Sequence, residues 1–271
     1  MVLPLMRKLA SYSLFGDRPL YWNSLRGLVW AHHNLFPGWE LRIYHDSSLE
    51  KEQGKLAHAY AASNLVNLVF AEENKQPCRS MLWRLKPLWD DDVEWVLARD
   101  IDSLPTGKDR RITEVFLASG AAVHCFNDHP QHTAVMMGGM VSFNAPEFRK
   151  ITGLESWEEM ISLCPYLGNA TGGADQMLMH DHLWPRVKSR VCEHRFCGMC
   201  ADVEAQVSYT KVGDPPIADV PAKILDESDS LIPFMGCPGY DVSAVVEYFK
   251  RNGNSETTTL ILKAEHDADI R

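Results

Sequence analysis

The stretch that most constrains this chain runs Val93-Glu94-Trp95-Val96-Leu97-Ala98-Arg99-Asp100-Ile101-Asp102-Ser103. It begins as an apolar run containing β-branched residues, the composition of a buried strand. It ends in two aspartates one residue apart, followed by Ser103, Leu104 and Pro105, so the strand is expected to stop where the acids begin. In open α/β sheets, ligands bind outside the carboxyl ends of the strands. Strand alternation would turn Asp100 and Asp102 to the same side. Two hard oxygen donors there suit Mg²⁺ or Mn²⁺ and leave positions for water and a substrate diphosphate. By itself an Asp-x-Asp is common and also reads as an acidic turn. Its weight comes from its surroundings.

Those surroundings read as alternating strands and helices. Leu9 to Phe15 alternates and breaks at Gly16-Asp17, like a first strand entering a loop. Tyr21 to Phe36 carries apolar residues at three- and four-residue spacing and ends at Pro37-Gly38, which predicts a helix. Trp39 to Tyr44 is a second strand; Asp46 or Ser47 caps a helix over Leu49 to Ala62, and Asn64 to Phe70 is a third strand. This order opens a parallel α/β sheet. Ser80 to Trp89 reads as a helix that places Arg84 among Met81, Leu82, Leu85 and Leu88. Arg84 is solvated there, or faces a phosphate near the acids, or pairs with a buried acid such as Asp100 and holds the site together; we expect the mixed role. Past the acids come a helix over Ile112 to Ser119, a strand over Ala121 to Phe126 and a polar loop with Asp128, His129 and His132. Gly138-Gly139 follows, where paired glycines allow another group to approach the backbone. A short strand over Val141 to Phe143 comes next. Helices are then expected over Trp157 to Leu163 and from Gly172 through Asp175 and Gln176 to Leu183. An acid and an amide beside glycines offer sugar hydroxyls both acceptors and donors. A last helix is expected over Asp241 to Arg251, with a polar, partly frayed tail beyond.

Composition excludes several classes. The net charge of −9 and a pI near 5.6 argue against a nucleic-acid partner, which would require a basic face. No apolar run approaches the roughly 18 residues of a membrane span. Met1 to Ala10 is too broken by Pro4, Arg7 and Lys8 for a secretory signal. The chain therefore reads as cytoplasmic, or as a soluble domain if trimmed from something longer. Seven cysteines, mostly scattered, fit reduced thiols better than a disulfide framework. Cys192, His194, Cys197 and Cys200 could hold zinc, but crowding four ligands into nine residues strains a closed tetrahedral site, so a reduced, metal-free cluster is expected.

Seven short motifs together resemble GT-A-fold glycosyltransferases in order and spacing. They are Tyr12 to Gly16, Pro37 to Tyr44, Leu82 to Pro87, Arg99 to Ser103, Asp128 to Pro130, Gly138 to Met140, and Ala174-Asp175-Gln176. The likeness covers roughly residues 9 to 190. It implies a single Rossmann-like α/β domain over 1–271, with a mostly parallel mixed sheet flanked by helices. The nucleotide-binding part would cover about 9–105 and the acceptor side about 106–250. It further implies a metal-dependent, hexosyltransferase-like enzyme using a UDP- or GDP-sugar and Mn²⁺ or Mg²⁺ on an unknown glycan, lipid or protein acceptor. Asp100 and Asp102 would hold the metal. Tyr12, Leu14, Gly16 and Asp46 would hold the nucleoside, Arg84 would face the phosphates, and Gly138, Gly139, Asp175 and Gln176 would line the sugar and acceptor side, with Asp175 and Gln176 the catalytic pair. The Ala-Asp-Gln arrangement is more like retaining members. One departure stands out: the late turn Phe234 to Tyr240 lacks the histidine that many members add to the metal. Two alternatives stay open. A nucleotidyltransferase would also use paired acids, but Gly16-Asp17-Arg18-Pro19 is a poor substitute for its glycine-rich basic loop. A non-catalytic binding protein on a lapsed transferase fold is the other.

Overall fold

The computed structural model describes residues 6–73, 76–127, 134–164, 173–195 and 241–269. Among these, seven strands form one sheet: β1 (Arg7–Leu14), β2 (Glu40–His45), β3 (Asn67–Phe70), β4 (Val93–Arg99), β5 (Val123–Asn127), β6 (Met140–Asn144) and β7 (Val191–Arg195). Their order is β3-β2-β1-β4-β6-β5-β7. The pairs β1–β2, β2–β3, β1–β4 and β5–β7 are parallel, and β6 runs antiparallel to both β4 and β5. The sheet is therefore mixed but mostly parallel, the α/β class expected. From β1 the chain builds outward to β2 and β3 on one side, then returns to lay β4 on the other. That reversal opens a crevice at the carboxyl ends of β1 and β4, where α/β sheets take ligands.

Both faces are covered, which is why β4 reads as an almost continuous apolar run. Leu9, Val96, Ala98, Val123, Val141 and Phe143 point into one apolar layer with Leu82, Trp83, Phe148, Trp157 and Met160. Ala10, Tyr12, Leu14, Ile43 and Leu97 point into the other, against helix Pro19–Leu35 and the C-terminal helices Val242–Asn252 and Ser255–Asp269. Each Val, Leu or Phe so enclosed contributes about 1.5–3 kcal/mol relative to exposure.

Several local readings need correction. Asp46 does cap, accepting from the Ser48 amide at 3.0 Å, but it caps a 3₁₀ turn, Ser47–Glu50. The α-helix proper is only Lys55–Ala62. Met81–Trp89 is a 3₁₀ helix rather than an α-helix. Pro87 within it has no N–H to donate and its ring crowds the preceding turn. So long a 3₁₀ run is uncommon, and tertiary bonds hold this one. The Arg84 amide donates to Ser13 Oγ at 3.1 Å, Ser13 Oγ donates to the Met81 carbonyl at 3.3 Å, and Trp157 Nε1 donates to the Leu82 carbonyl at 3.1 Å. The tail expected to fray is the 15-residue helix Ser255–Asp269, with Ile261 and Ala264 fully buried. Its Glu265 accepts from Arg26, Trp30 and Tyr60. Helix Ala145–Thr152, capped by Asn144, and strand β7 were not anticipated.

Candidate functional site

Strand β4 ends at Arg99, and Asp100 to Ser103 forms a turn closed by the Ser103 amide on the Asp100 carbonyl at 3.0 Å. The acids thus lie just beyond the strand, and strand alternation does not set their directions. Arg99, the last strand residue, is only 3% exposed and anchors the turn from below. Its guanidinium grips both oxygens of Asp109 at 2.8 and 3.1 Å and donates to the Val141 carbonyl at 2.8 Å. Asp109 stands in the first turn of helix Gly107–Ser119, whose N-cap is Thr106. This buried pair ties the helix after the acids to the strand before them.

Arg84 reaches the acids from the 3₁₀ helix. It is 3% exposed, and its two terminal nitrogens diverge, Nη1 to Asp100 Oδ1 and Nη2 to Asp175 Oδ2 at 3.1 Å. Asp175 comes from the short helix Ala174–Met177, on the far side of the site in sequence. A single buried cation therefore bridges two of the expected acids. Gln176, its neighbour, is half-buried. The chain then passes into a π-helical turn, Leu178–Leu183, an irregularity often found at functional sites.

The paired glycines explain themselves by space. The turn from Met137 to Met140 brings Gly138 and Gly139 against this cluster. A Cβ on Gly138 would overlap Asp175 Oδ2 and Arg84 Nη2, and one on Gly139 would overlap the Asp100 carboxylate. Only the absent side chain admits the charged groups so close to the backbone.

Asp102 has no ion pair among the described residues. Burial pushes its carboxyl up, and the neighbouring charge of Asp100 pushes it further, with a hydrogen bond from its own backbone amide and the charges of Arg18 and Arg84 offsetting only part. The site thus holds more negative charge than Arg84 neutralises. An Asp100–Asp102 oxygen set fits a hard divalent cation.

The remaining expected residues take varied places. Tyr12 and Leu14 are buried at 1% and 0% exposure, their side chains packed in the core beside the sheet rather than lining an open site. Gly16 sits at φ +71 and its carbonyl accepts from Trp22 Nε1 at 3.0 Å. Asp46 is buried and spends one oxygen on Ser48. The sequence reading missed Ser13, which positions Arg84, and the Arg99–Asp109 pair. A small polar residue inside an apolar strand and an acid at N3 of a capped helix were the available signals. Asp128 to His132, Cys197, Cys200, Lys211 to Pro221 and Phe234 to Tyr240 lie outside the described residues. Cys192 lies on β7, where burial pushes its thiol up to about 11. No helix among the described residues is long and apolar enough to cross a membrane.

No protein-family model matches the chain, and no curated protein matches it. Among solved structures, the glycosyltransferase GlyE of Streptococcus pneumoniae TIGR4 aligns at 13% identity and TM-score 0.44, covering 69% of this chain and 45% of that one. A mannosyltransferase of Pyrobaculum calidifontis, solved with GDP-Man and Mn²⁺, aligns at 12% identity and TM-score 0.43, covering 97% and 80%. The 4-diphosphocytidyl-2C-methyl-D-erythritol synthase of Anaerococcus prevotii aligns at 12% identity and TM-score 0.43, covering 69% and 87%. This chain spans under half of GlyE and 60% of S. aureus TarS. Likenesses of this size carry no functional argument.

Proposed function

We propose that this chain is a glycosyltransferase that moves a sugar from a UDP- or GDP-sugar to an acceptor hydroxyl, with Asp100 and Asp102 as ligands of a divalent metal. The observation that carries the proposal is the cluster past β4. Two carboxylates stand at the reversal point of an α/β sheet, one pushed up and without an ion pair among the described residues, with a buried arginine and a glycine pair shaped around them. Mn²⁺ or Mg²⁺ held by these acids would supply positive charge to the donor diphosphate, whose developing charge must be neutralised as it leaves.

The protein's own groups have distinct tasks in this reading. Arg84 keeps Asp100 oriented before the metal arrives and stands as a second cation for the diphosphate. Asp175 is 10% exposed at its side chain and engaged by Arg84, so it acts as a positioning residue rather than a free base. Inversion needs a carboxylate base beside the acceptor hydroxyl, and the commitment of Asp175 to Arg84 favours the retaining reading. Gln176, half-buried beside it, supplies both a donor and an acceptor to sugar hydroxyls. Backbone at Tyr12 to Gly16 and the region of Asp46 form the nucleoside side.

The test is release of nucleoside diphosphate from a panel of UDP- and GDP-sugars, with Mn²⁺ and without acceptor, since many transferases hydrolyse their donors slowly. Release that requires Mn²⁺ and Asp102 supports the proposal. Pyrophosphate release from a nucleoside triphosphate and a sugar phosphate would instead identify a nucleotidyltransferase. Neither activity nor donor binding would leave the lapsed, non-catalytic reading.

A further inference from the structure

A second cluster of ligand-type side chains lies away from the acids, on strands β5 and β7. The two strands pair in parallel with His124 opposite Cys192 and Phe126 opposite His194. Cys192 and His194 are two residues apart on one strand, so both turn to the same face. His124 shares that face, under helix Gly107–Ser119, with its ring stacked on Phe116 at 5.1 Å. One ligand atom from each of His124, Cys192 and His194 can be chosen so that all three lie within 4.8 Å of one another. His124 is fully buried and His194 is 3% exposed.

The polar groups in this pocket are poorly matched to each other. His124 Nε2 and His194 Nδ1 share one hydrogen bond at 2.7 Å, while His124 Nδ1 and His194 Nε2 have no partner among the described residues. Buried polar atoms are nearly always satisfied, so two imidazoles that share a single hydrogen bond leave this cluster short of partners. The rings packed on His124, Phe116 and Phe126, offer it no acceptor; Ser142, opposite it on β6, accepts from Arg99, Ser119 hydrogen-bonds Cys192, and Lys108 adds positive charge near His194. The nearby charge of Arg99 is already taken up by Asp109.

We infer that His124, His194 and Cys192 form a zinc site, distinct from the acid pair, that staples edge strand β7 to β5. Two imidazoles and a thiolate are a borderline-soft set that suits Zn²⁺ and not the hard cations of a carboxylate pair. Zinc with three protein ligands keeps a fourth position for water. This departs from the metal-free expectation for Cys192. That expectation counted ligands along one short stretch, whereas the decisive imidazole, His124, arrives from 70 residues before His194.

The experiment uses the full chain, purified reduced and without a metal-affinity step, in an Asp100→Asn/Asp102→Asn background that removes the acid pair. Zinc content is measured by mass spectrometry, and Co²⁺ is then titrated in place of zinc. About one zinc per chain is expected, with a thiolate-to-cobalt charge-transfer band and the strong visible bands of tetrahedral Co²⁺. Cys192→Ser should abolish the charge-transfer band, and His194→Gln should weaken zinc at least tenfold. A Cys197→Ser/Cys200→Ser variant should keep the band. Failure of reduced protein to bind offered zinc, or a band that persists in Cys192→Ser, overturns the proposal. So does loss of the band in Cys197→Ser/Cys200→Ser. Should Cys192→Ser fail to fold by circular dichroism, the parent protein and the Cys197→Ser/Cys200→Ser variant decide between the same two outcomes.

Discussion

Replacing Arg84 by alanine tests the architecture of the acid cluster before any ligand is added. The guanidinium is 3% exposed and serves two carboxylates at once, Asp175 at 10% side-chain exposure and Asp100 at 46%. Removing one member of a buried ion pair costs about 3–5 kcal/mol, because the partner charge stays behind unpaired. Here the penalty falls mainly on Asp175, since water reaches Asp100 and screens it. The low end of that range, about 3 kcal/mol, is therefore expected. At roughly 2–4 °C per kcal/mol for chains of this size, Arg84→Ala should lower Tm by about 6–12 °C. Removing the stranded charge as well, in Arg84→Ala/Asp175→Asn, should recover part of that loss, within the roughly 0.5–3 kcal/mol coupling of contacting residues. Thermal unfolding of the three metal-free proteins by circular dichroism measures both effects. An Arg84→Ala protein that melts within about 2 °C of the parent would refute the reasoning, as would a double variant no more stable than the single.

Three further outcomes follow from the same geometry. Gly139→Ala should leave the far-ultraviolet spectrum unchanged while weakening Mn²⁺ binding about tenfold or more by calorimetry, because the new Cβ displaces the Asp100 carboxylate. Burial alone would push Glu265 up, but hydrogen bonds from Arg26, Trp30 and Tyr60 outweigh it and hold its carboxyl below the ordinary 4.5. Its contribution is therefore complete above that value and lost as pH falls through the lowered one, and Glu265→Gln should flatten this acid step in a plot of Tm against pH. Asp102 has the opposite sign: with its carboxyl raised, stability is complete at low pH and declines as pH rises through the raised value. Metal-free Asp102→Asn should then melt above the parent at neutral pH and match it in acid.

What the sequence disclosed, and what it hid, divides along physical lines. Strand β4, the helix Pro19–Leu35 and the early strand-helix alternation were legible because period and punctuation agree there. The pairing of Arg84 with Asp100 was legible because an arginine among apolar residues next to an acidic strand end needs a counter-charge. The glycine pair announced close approach, though not which groups approach. The 3₁₀ form of Met81–Trp89 was hidden, since its stability comes from Ser13 and Trp157, far away in sequence. Helix Ser255–Asp269 looked polar because only a narrow face is buried, and Glu265 reads as a surface acid until Arg26, Trp30 and Tyr60 converge on it. Strand β7 was masked by its own cysteine and histidine, which drew a ligand reading onto one stretch. The partner histidine on β5 becomes visible only once the sheet is built.

The most direct test of the central claim is calorimetric titration of UDP- and GDP-sugars into the protein with and without Mn²⁺, alongside Asp102→Asn. The account predicts that at least one donor binds the parent only when Mn²⁺ is present. It also predicts that Asp102→Asn, folded by circular dichroism, loses that binding at least tenfold, the scale of changes to a metal's ligand shell. Donor affinity that is the same with and without Mn²⁺, or unchanged in Asp102→Asn, would contradict it.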